Sequence, residues 1–199
     1  MSDEKRNLDE AYEAEGPIGK IDLAIVKAAQ PYEDSLPVRV LGPLSELADQ
    51  PPMVTASLVT LGVGLIGPDP KVARAGARML AAHALATYVK TLIKDRIDRP
   101  RPQKVAEDGE HEVEEGTSED GEDRSLPSGH SAGAVAVARA IVREAPGLAP
   151  LAYGAAGLAA GVQVPRKAHF PSDVVIGIGI GLAAEWLVDR AFRTMPDGA

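Results

Sequence analysis

Val175-Ile176-Gly177-Ile178-Gly179-Ile180-Gly181 reads two ways. Strict alternation is the period of a strand. Its surroundings favour a helix. Ala and Gly dominate the apolar runs of this chain and aromatic residues make up only 4% of it, which suits closely packed helices better than sheets. The stretch is therefore expected to be a tightly packed helix, and the fold class all-α.

Working outward, four more apolar runs precede it. They cover Pro51 to Pro68, roughly Ala75 to Ile93, Pro127 to about Val142, and Leu148 to Val164. The last runs from Val174 to Leu187, with Trp186 near its far end. Five helices joined by turns form an up-down bundle whose turns alternate between two ends. Pro100 and Pro102 stop the second run, and Glu144-Ala145-Pro146-Gly147 is a tight turn. Counting along the bundle puts three polar clusters at one end: Lys94 to Pro102, Leu126 to Ser131, and Pro165 to Asp173.

The rest of the chain is polar. Residues 1–18 are expected to be a disordered acidic tail, and residues 19–50 an amphipathic N-terminal arm. In the arm, Ile21, Leu23, Ala24, Ile25 and Ala28 suggest one apolar face, and Val38, Val40, Leu41, Leu44 and Leu47 a second. Residues 51–193 form the helical domain, with an acidic insert at 103–124 read as a solvated, mobile loop. His111 lies in that insert without metal-ligand spacing around it. The net charge of −8 comes largely from the acidic stretches and argues against nucleic acid. There are no cysteines, so disulfides and thiolate metal sites are excluded. No apolar stretch follows Met1-Ser2-Asp3-Glu4-Lys5-Arg6, so no cleavable secretory signal is expected. His83, alone on an apolar helix, reads as a histidine hydrogen-bonded in the core.

The three clusters carry complementary chemistry. Arg101 can grip phosphate oxygens in a fork, and Lys94 adds a point charge. Ser128-Gly129-His130 opens a helix, whose unpaired N–H groups suit an anion. Ser128 adds a hydroxyl, Gly129 lets the backbone approach a ligand, and His130 can exchange a proton near neutrality. His169 and Asp173 stand four residues apart at a turn into a helix, where a carboxylate can orient a nucleophilic histidine. This set suits phosphoryl transfer through a phosphohistidine, with no metal or other cofactor. The blander reading is that Lys94 and Arg101 favour a helix dipole or anchor at a membrane interface.

The pattern Lys94-x6-Arg101-Pro102, Pro127-Ser128-Gly129-His130 and His169-x3-Asp173 resembles the type 2 phosphatidic acid phosphatase (PAP2) superfamily, in particular its bacterial membrane lipid and isoprenoid phosphatases. The resemblance spans about residues 50–190. It implies a helical bundle in which His169 attacks phosphorus, Asp173 orients it, and His130 protonates the leaving group. Lys94, Arg101, Ser128 and Gly129 would hold the phosphate. The family's third motif reads Ser-Arg, five residues, then His. Val162 and Gln163 stand at the Ser-Arg positions, so the phosphate-binding arginine is absent from its place. Arg166, three residues before His169, is the candidate substitute.

Five apolar runs favour a multi-pass protein of the cell membrane. The end opposite the clusters carries Lys71, Arg74, Arg78, Arg143, Arg190 and Arg193, which puts the site on the non-cytoplasmic side. The function expected is hydrolysis of a phosphate or diphosphate from a lipid of isoprenoid or phosphatidate type. The expected partners are that substrate and the membrane, with no obligate protein partner. Two alternatives stand beside it. One is a soluble phosphatase or vanadate-dependent oxidant of the same fold. The other is a membrane protein that binds phosphate without turnover.

Overall fold

The computed structural model describes residues 3–109 and 111–194. Met1 and Ser2 of the expected tail and Glu110 of the acidic insert lie outside them, as do residues 195–199. The described chain is almost entirely helical: α1 (Asp3–Ala14), α2 (Pro17–Ala29), α3 (Leu36–Ser45), α4 (Gln50–Ile66), α5 (Pro70–Lys94), α6 (Pro102–Asp108), α7 (Gly129–Glu144), α8 (Ala149–Gly161) and α9 (Pro171–Thr194). Two-residue strands β1 (Ile97–Asp98) and β2 (Glu114–Glu115) pair antiparallel. The five apolar runs are α4, α5, α7, α8 and α9, and the Gly/Ile alternation lies inside α9.

The bundle is built around α7, which packs on α5, α8 and α9, while α4 packs on α5. Its contact residues are small. Ala132, Ala136, Ala82, Ala86 and Ala184 form one buried cluster, and Ala134, Ala138, Ala156 and Ala48 another. The glycines of the alternation explain the close approach of α9. A Cβ on Gly177 would stand 2.5 Å from the Ser128 carbonyl oxygen, and one on Gly181 2.5 Å from that of Ala132. The outward Gly179 has open space. Alanine ordinarily improves a helix by about 1 kcal/mol over glycine. Gly179→Ala is therefore expected to be neutral or stabilising in a thermal melt, and Gly177→Ala to cost about 1–3 kcal/mol by forcing α9 off the start of α7. Equal melting temperatures for the two variants would contradict this packing.

Large apolar side chains point outward instead. Val59, Val63 and Leu65 on α4, Leu151 and Leu158 on α8, and Val175, Trp186 and Leu187 on α9 are all exposed. Small residues inside and large apolar ones outside leave the bundle with an apolar outer belt. Among the described residues, α9 is long and apolar enough to cross a membrane, and α4 is a shorter apolar helix.

Arg139, which interrupts the third run, is compensated. Its Nε lies 2.8 Å from Glu185, which also accepts from Arg143 at 3.0 Å. Arg78 pairs with Glu144 at 2.8 Å and with Asp189 at 3.0 Å. Charges at apolar helix faces persist when they pair across helices in this way. His83 is buried as expected, but neither ring nitrogen has a hydrogen-bond partner among the described residues.

Two expectations are corrected. The acidic tail is not disordered over its described part. α1 buries Leu8 and Ala11 with Leu23 and Val26 of α2, Val105 and Ala106 of α6, and Phe170. Nor is the 103–124 insert simply a loop, although residues 112–115 and 119–122 are exposed as expected. It holds α6, β2 and a 3₁₀ turn at Gly121–Asp123. Asn7 of α1 donates to the carbonyls of Ala106 and Glu107, which the end of α6 leaves unpaired. High acid content misled here because a few apolar residues, Leu8, Ala11, Val105 and Ala106, suffice for a small core when the two segments meet. The apolar face of α2 also divides. Leu23 and Val26 turn inward with Asp22, while Ile18, Ile21 and Ile25 stay exposed, as do Leu36, Val40, Leu44 and Leu47 farther along the arm.

Candidate active site

All three polar clusters lie at one end of the bundle, beneath the cap formed by α1, α2 and α6. The first turn of α7 seats them. Ser128 is its N-cap and is fully buried. Its Oγ accepts from the Ser131 N–H at 3.4 Å and from the Ser131 hydroxyl at 2.9 Å. The Ser128 N–H donates to the Asp173 carbonyl at 3.1 Å, which joins the start of α7 to the start of α9. Gly129 faces Lys90 of α5, whose Nζ would lie 3.4 Å from a Cβ there.

His169 sits in the loop before α9 and is 3% exposed. Its N–H donates to the Gln163 carbonyl at 3.2 Å, so the residue at the family's arginine position supports the loop through its backbone. The Nδ1 of His169 lies 3.9 Å from Asp173 Oδ2, which is too long for a hydrogen bond. Burial pulls the imidazole pKa down to about 4; Asp173 opposes that shift, and the positive fields of Lys94 and Arg101 add to it. The ring is therefore neutral near pH 7 and free to act as a nucleophile.

Asp173 is fully buried and saturated with donors. Oδ1 accepts from Arg99 Nη1 at 2.6 Å, and Oδ2 accepts from the Ser125 hydroxyl at 2.6 Å and the Phe170 N–H at 2.8 Å. Arg99 is the residue that the sequence reading missed. It is 6% exposed, and its other terminal nitrogen donates to Asp22 at 2.8 Å. Its guanidinium stacks over Phe170 with the centroid 4.3 Å away. Asp22 in turn accepts from the N–H and hydroxyl of Ser172. An acid among Ile21, Leu23, Ala24 and Ile25 was the signal available. Its partner, 77 residues away, was not.

Lys94 ends α5 and donates to the Arg124 carbonyl. Arg101 precedes α6 and donates from Nε to the Gly121 carbonyl at 2.9 Å. The acidic insert thus holds both side chains; burial, with the neighbouring Arg101, pulls the Lys94 pKa down to about 7, so Arg101 is the fixed charge of the two. Arg166 is held by the end of α3 and the turn after it. Its Nη1 lies 2.8 Å from Ser45, 2.8 Å from Glu46 and 3.2 Å from the Gly42 carbonyl. His130 meets the same carboxylate, with its Nε2 3.5 Å from Glu46. Glu46, in the turn after α3, is a second residue that the sequence reading did not single out.

A buried histidine-aspartate pair in the fields of Lys94 and Arg101, joined to a helix start at one end of a helical bundle, is an arrangement suited to phosphoryl chemistry. Residues 75–195 match the PAP2 superfamily, and the chain belongs to it. Among solved structures it is similar to the transmembrane PAP2 type phosphatidylglycerolphosphate phosphatase from Bacillus subtilis. That likeness has a TM-score of 0.67 at 21% identity and covers 98% of this chain and 96% of the other. It is also similar to Aquifex aeolicus LpxE, with a TM-score of 0.62 at 20% identity, over 85% of this chain and 95% of that one. At these identities the likeness speaks for the fold. No curated protein sequence gives a significant match.

Proposed function

We propose that the protein is a membrane phosphatase that removes phosphate from a lipid phosphate by way of a phosphohistidine. The observation that carries this reading is the junction of α7 and α9, where a neutral, buried His169 beside Asp173, in the fields of Lys94 and Arg101, meets the start of α7. His169 Nδ1 faces Asp173, which leaves Nε2 for phosphorus. The P–N bond forms as the P–O bond to the leaving group breaks, and His130 gives that oxygen a proton. Water then attacks the phosphohistidine, His130 takes its proton, and orthophosphate leaves. Lys94, Arg101, Ser128 and the N–H groups at Gly129 and His130 hold the phosphate oxygens. Asp173 positions the nucleophile, and its 3.9 Å separation shortens as substrate binds.

A lipid substrate is supported by an apolar cavity of about 370 Å³ between α3, α7 and α8, within the usual range of ligand pockets. Leu44, Leu47, Met53, Ala138, Ile141 and Ala156 are among its lining. The exposed apolar belt of α4, α8 and α9 supports a place in the cell membrane. The basic residues at the far end support a non-cytoplasmic site, since lysine and arginine count in that rule whether or not they are paired. The exposed stripe of α2 and α3 suits an arm lying in the membrane interface.

Purified protein in detergent should release phosphate from lipid monophosphates or diphosphates in a chelator. A pH series tests the state of the nucleophile. A lowered imidazole pKa keeps the reactive neutral form present down to about pH 4. kcat/KM should therefore hold through mildly acidic pH and fall about tenfold per unit below about 4. A fall that begins near the ordinary histidine pKa, ~6.5, would contradict a buried neutral His169.

A further inference from the structure

The third family motif leaves the site one cation short. Gln163 stands at the arginine position, and its amide donates to Ser45 at 3.1 Å and to the Ala159 carbonyl at 2.9 Å. Arg166 is engaged by Glu46, Ser45 and the Gly42 carbonyl. Lys90 of α5 does reach the start of α7. Its side chain crosses Gly129, where a Cβ would stand 3.0 Å from Lys90 Cδ and 3.4 Å from its Nζ. Lys90 lies one turn before Lys94 on α5, and Lys94 feels the repulsive fields of both Arg101 and Lys90. These cations therefore share one locality. Lys90 is half-buried, and an ammonium held away from water calls for an anion beside it. Among the described residues it has no hydrogen-bond or ion-pair partner. Asp49 favours its charge and Arg124 opposes it, each from beyond ion-pair distance.

We propose that Lys90 is a phosphate-binding residue of this site and supplies the positive charge absent from the third motif. This rests on the function proposed above. A phosphoryl group seated on the start of α7 lies over Gly129, within reach of the Lys90 ammonium. Lys90 Nζ donates to a non-bridging phosphate oxygen and neither gives nor takes a proton. That oxygen stays on phosphorus in the substrate, the phosphohistidine and orthophosphate, so the contact serves every stage of the reaction. A hydrogen bond from a cation to a phosphate oxygen is roughly twice as strong as a neutral one, which the Gln163 amide could at most provide. Lysine restores the charge of the missing arginine but not its two-pronged grip.

The test uses the full-length protein in detergent micelles. Inhibition of lipid monophosphate hydrolysis by orthophosphate reads the seat directly. Lys90→Met keeps the length of the side chain without its charge. It should weaken orthophosphate inhibition about tenfold or more, and lower kcat/KM by at least as much. Lys71→Met, at the far end of α5, should change neither. A wild-type inhibition constant in Lys90→Met overturns the proposal, as does an equal loss in Lys71→Met. A second measurement needs no variant to fold. Wild type is acetylated with and without saturating orthophosphate, and the modified lysines are mapped by mass spectrometry. Orthophosphate should slow labelling of Lys90 several-fold and leave Lys71 unchanged. Labelling of Lys90 that orthophosphate does not slow overturns the proposal. His169→Ala is run alongside. If it retains turnover, the underlying mechanism fails. If turnover depends on His169 but Lys90→Met is inhibited like wild type, only the role of Lys90 falls.

Discussion

His169→Ala is expected to abolish phosphate release from lipid phosphates, with a loss of about a thousandfold or more in kcat. The argument rests on what remains when the imidazole is gone. Lys94, Arg101 and the α7 start still hold a phosphate, so binding of orthophosphate or vanadate should survive. The covalent step cannot occur, because the neighbouring Asp173 is committed to Arg99, Ser125 and the Phe170 N–H. Water in the emptied pocket would have no imidazole to carry the phosphoryl group. The measurement is steady-state phosphate release by wild type and variant at matched detergent and lipid, with a trap for phosphoenzyme in parallel. A variant that keeps a tenth of wild-type turnover would overturn the phosphohistidine mechanism. A variant that loses turnover and keeps phosphate binding separates chemistry from folding.

Arg99→Ala carries the largest expected effect on stability. Arg99 bridges two buried carboxylates, Asp173 and Asp22, whose side chains are 0% and 2% exposed. Its removal leaves both without their cation. Breaking a buried pair in this way typically costs about 3–5 kcal/mol, because desolvated charge goes uncompensated. Two carboxylates share this arginine, so the upper part of that range is expected. The loss should appear as a lower melting temperature in detergent and as exposure of the cap to proteolysis, since Asp22 and Ser172 anchor α2 to α9. Arg99→Lys keeps the charge but not the fork, and should recover part of the stability. Activity should fall in both variants, because Asp173 would lose the contact that fixes its orientation. An unchanged melt in Arg99→Ala would show that the triad contributes nothing to holding the cap.

Much of the fold was legible in the sequence because helix runs and their stops are local. Ala/Gly-rich apolar stretches bounded by Pro51, Pro100, Pro146 and Pro171 mark the helices, and alternation of their ends brings Lys94, Ser128 and His169 to one face. The cap was not legible. α1 has little apolar character of its own, and only the company of Val105 and Phe170 makes Leu8 a core residue. Arg166 was legible as a cation near His169 but not as the partner of Glu46, from which 120 residues separate it.

What the sequence determined by itself was the class: an all-helical bundle, its family motifs, and the end at which they gather. Periodicity and helix-breaking residues act over a few positions, so they can be read without a structure. What only the tertiary structure decided was how the charges are settled. Asp173 is held by Arg99 and Asp22, the insert grips Lys94 and Arg101, and Glu46 stands beside His130. Buried charges must be compensated, but nothing in the local chain fixes which distant residue does so. That choice is made only when the cap closes on the bundle.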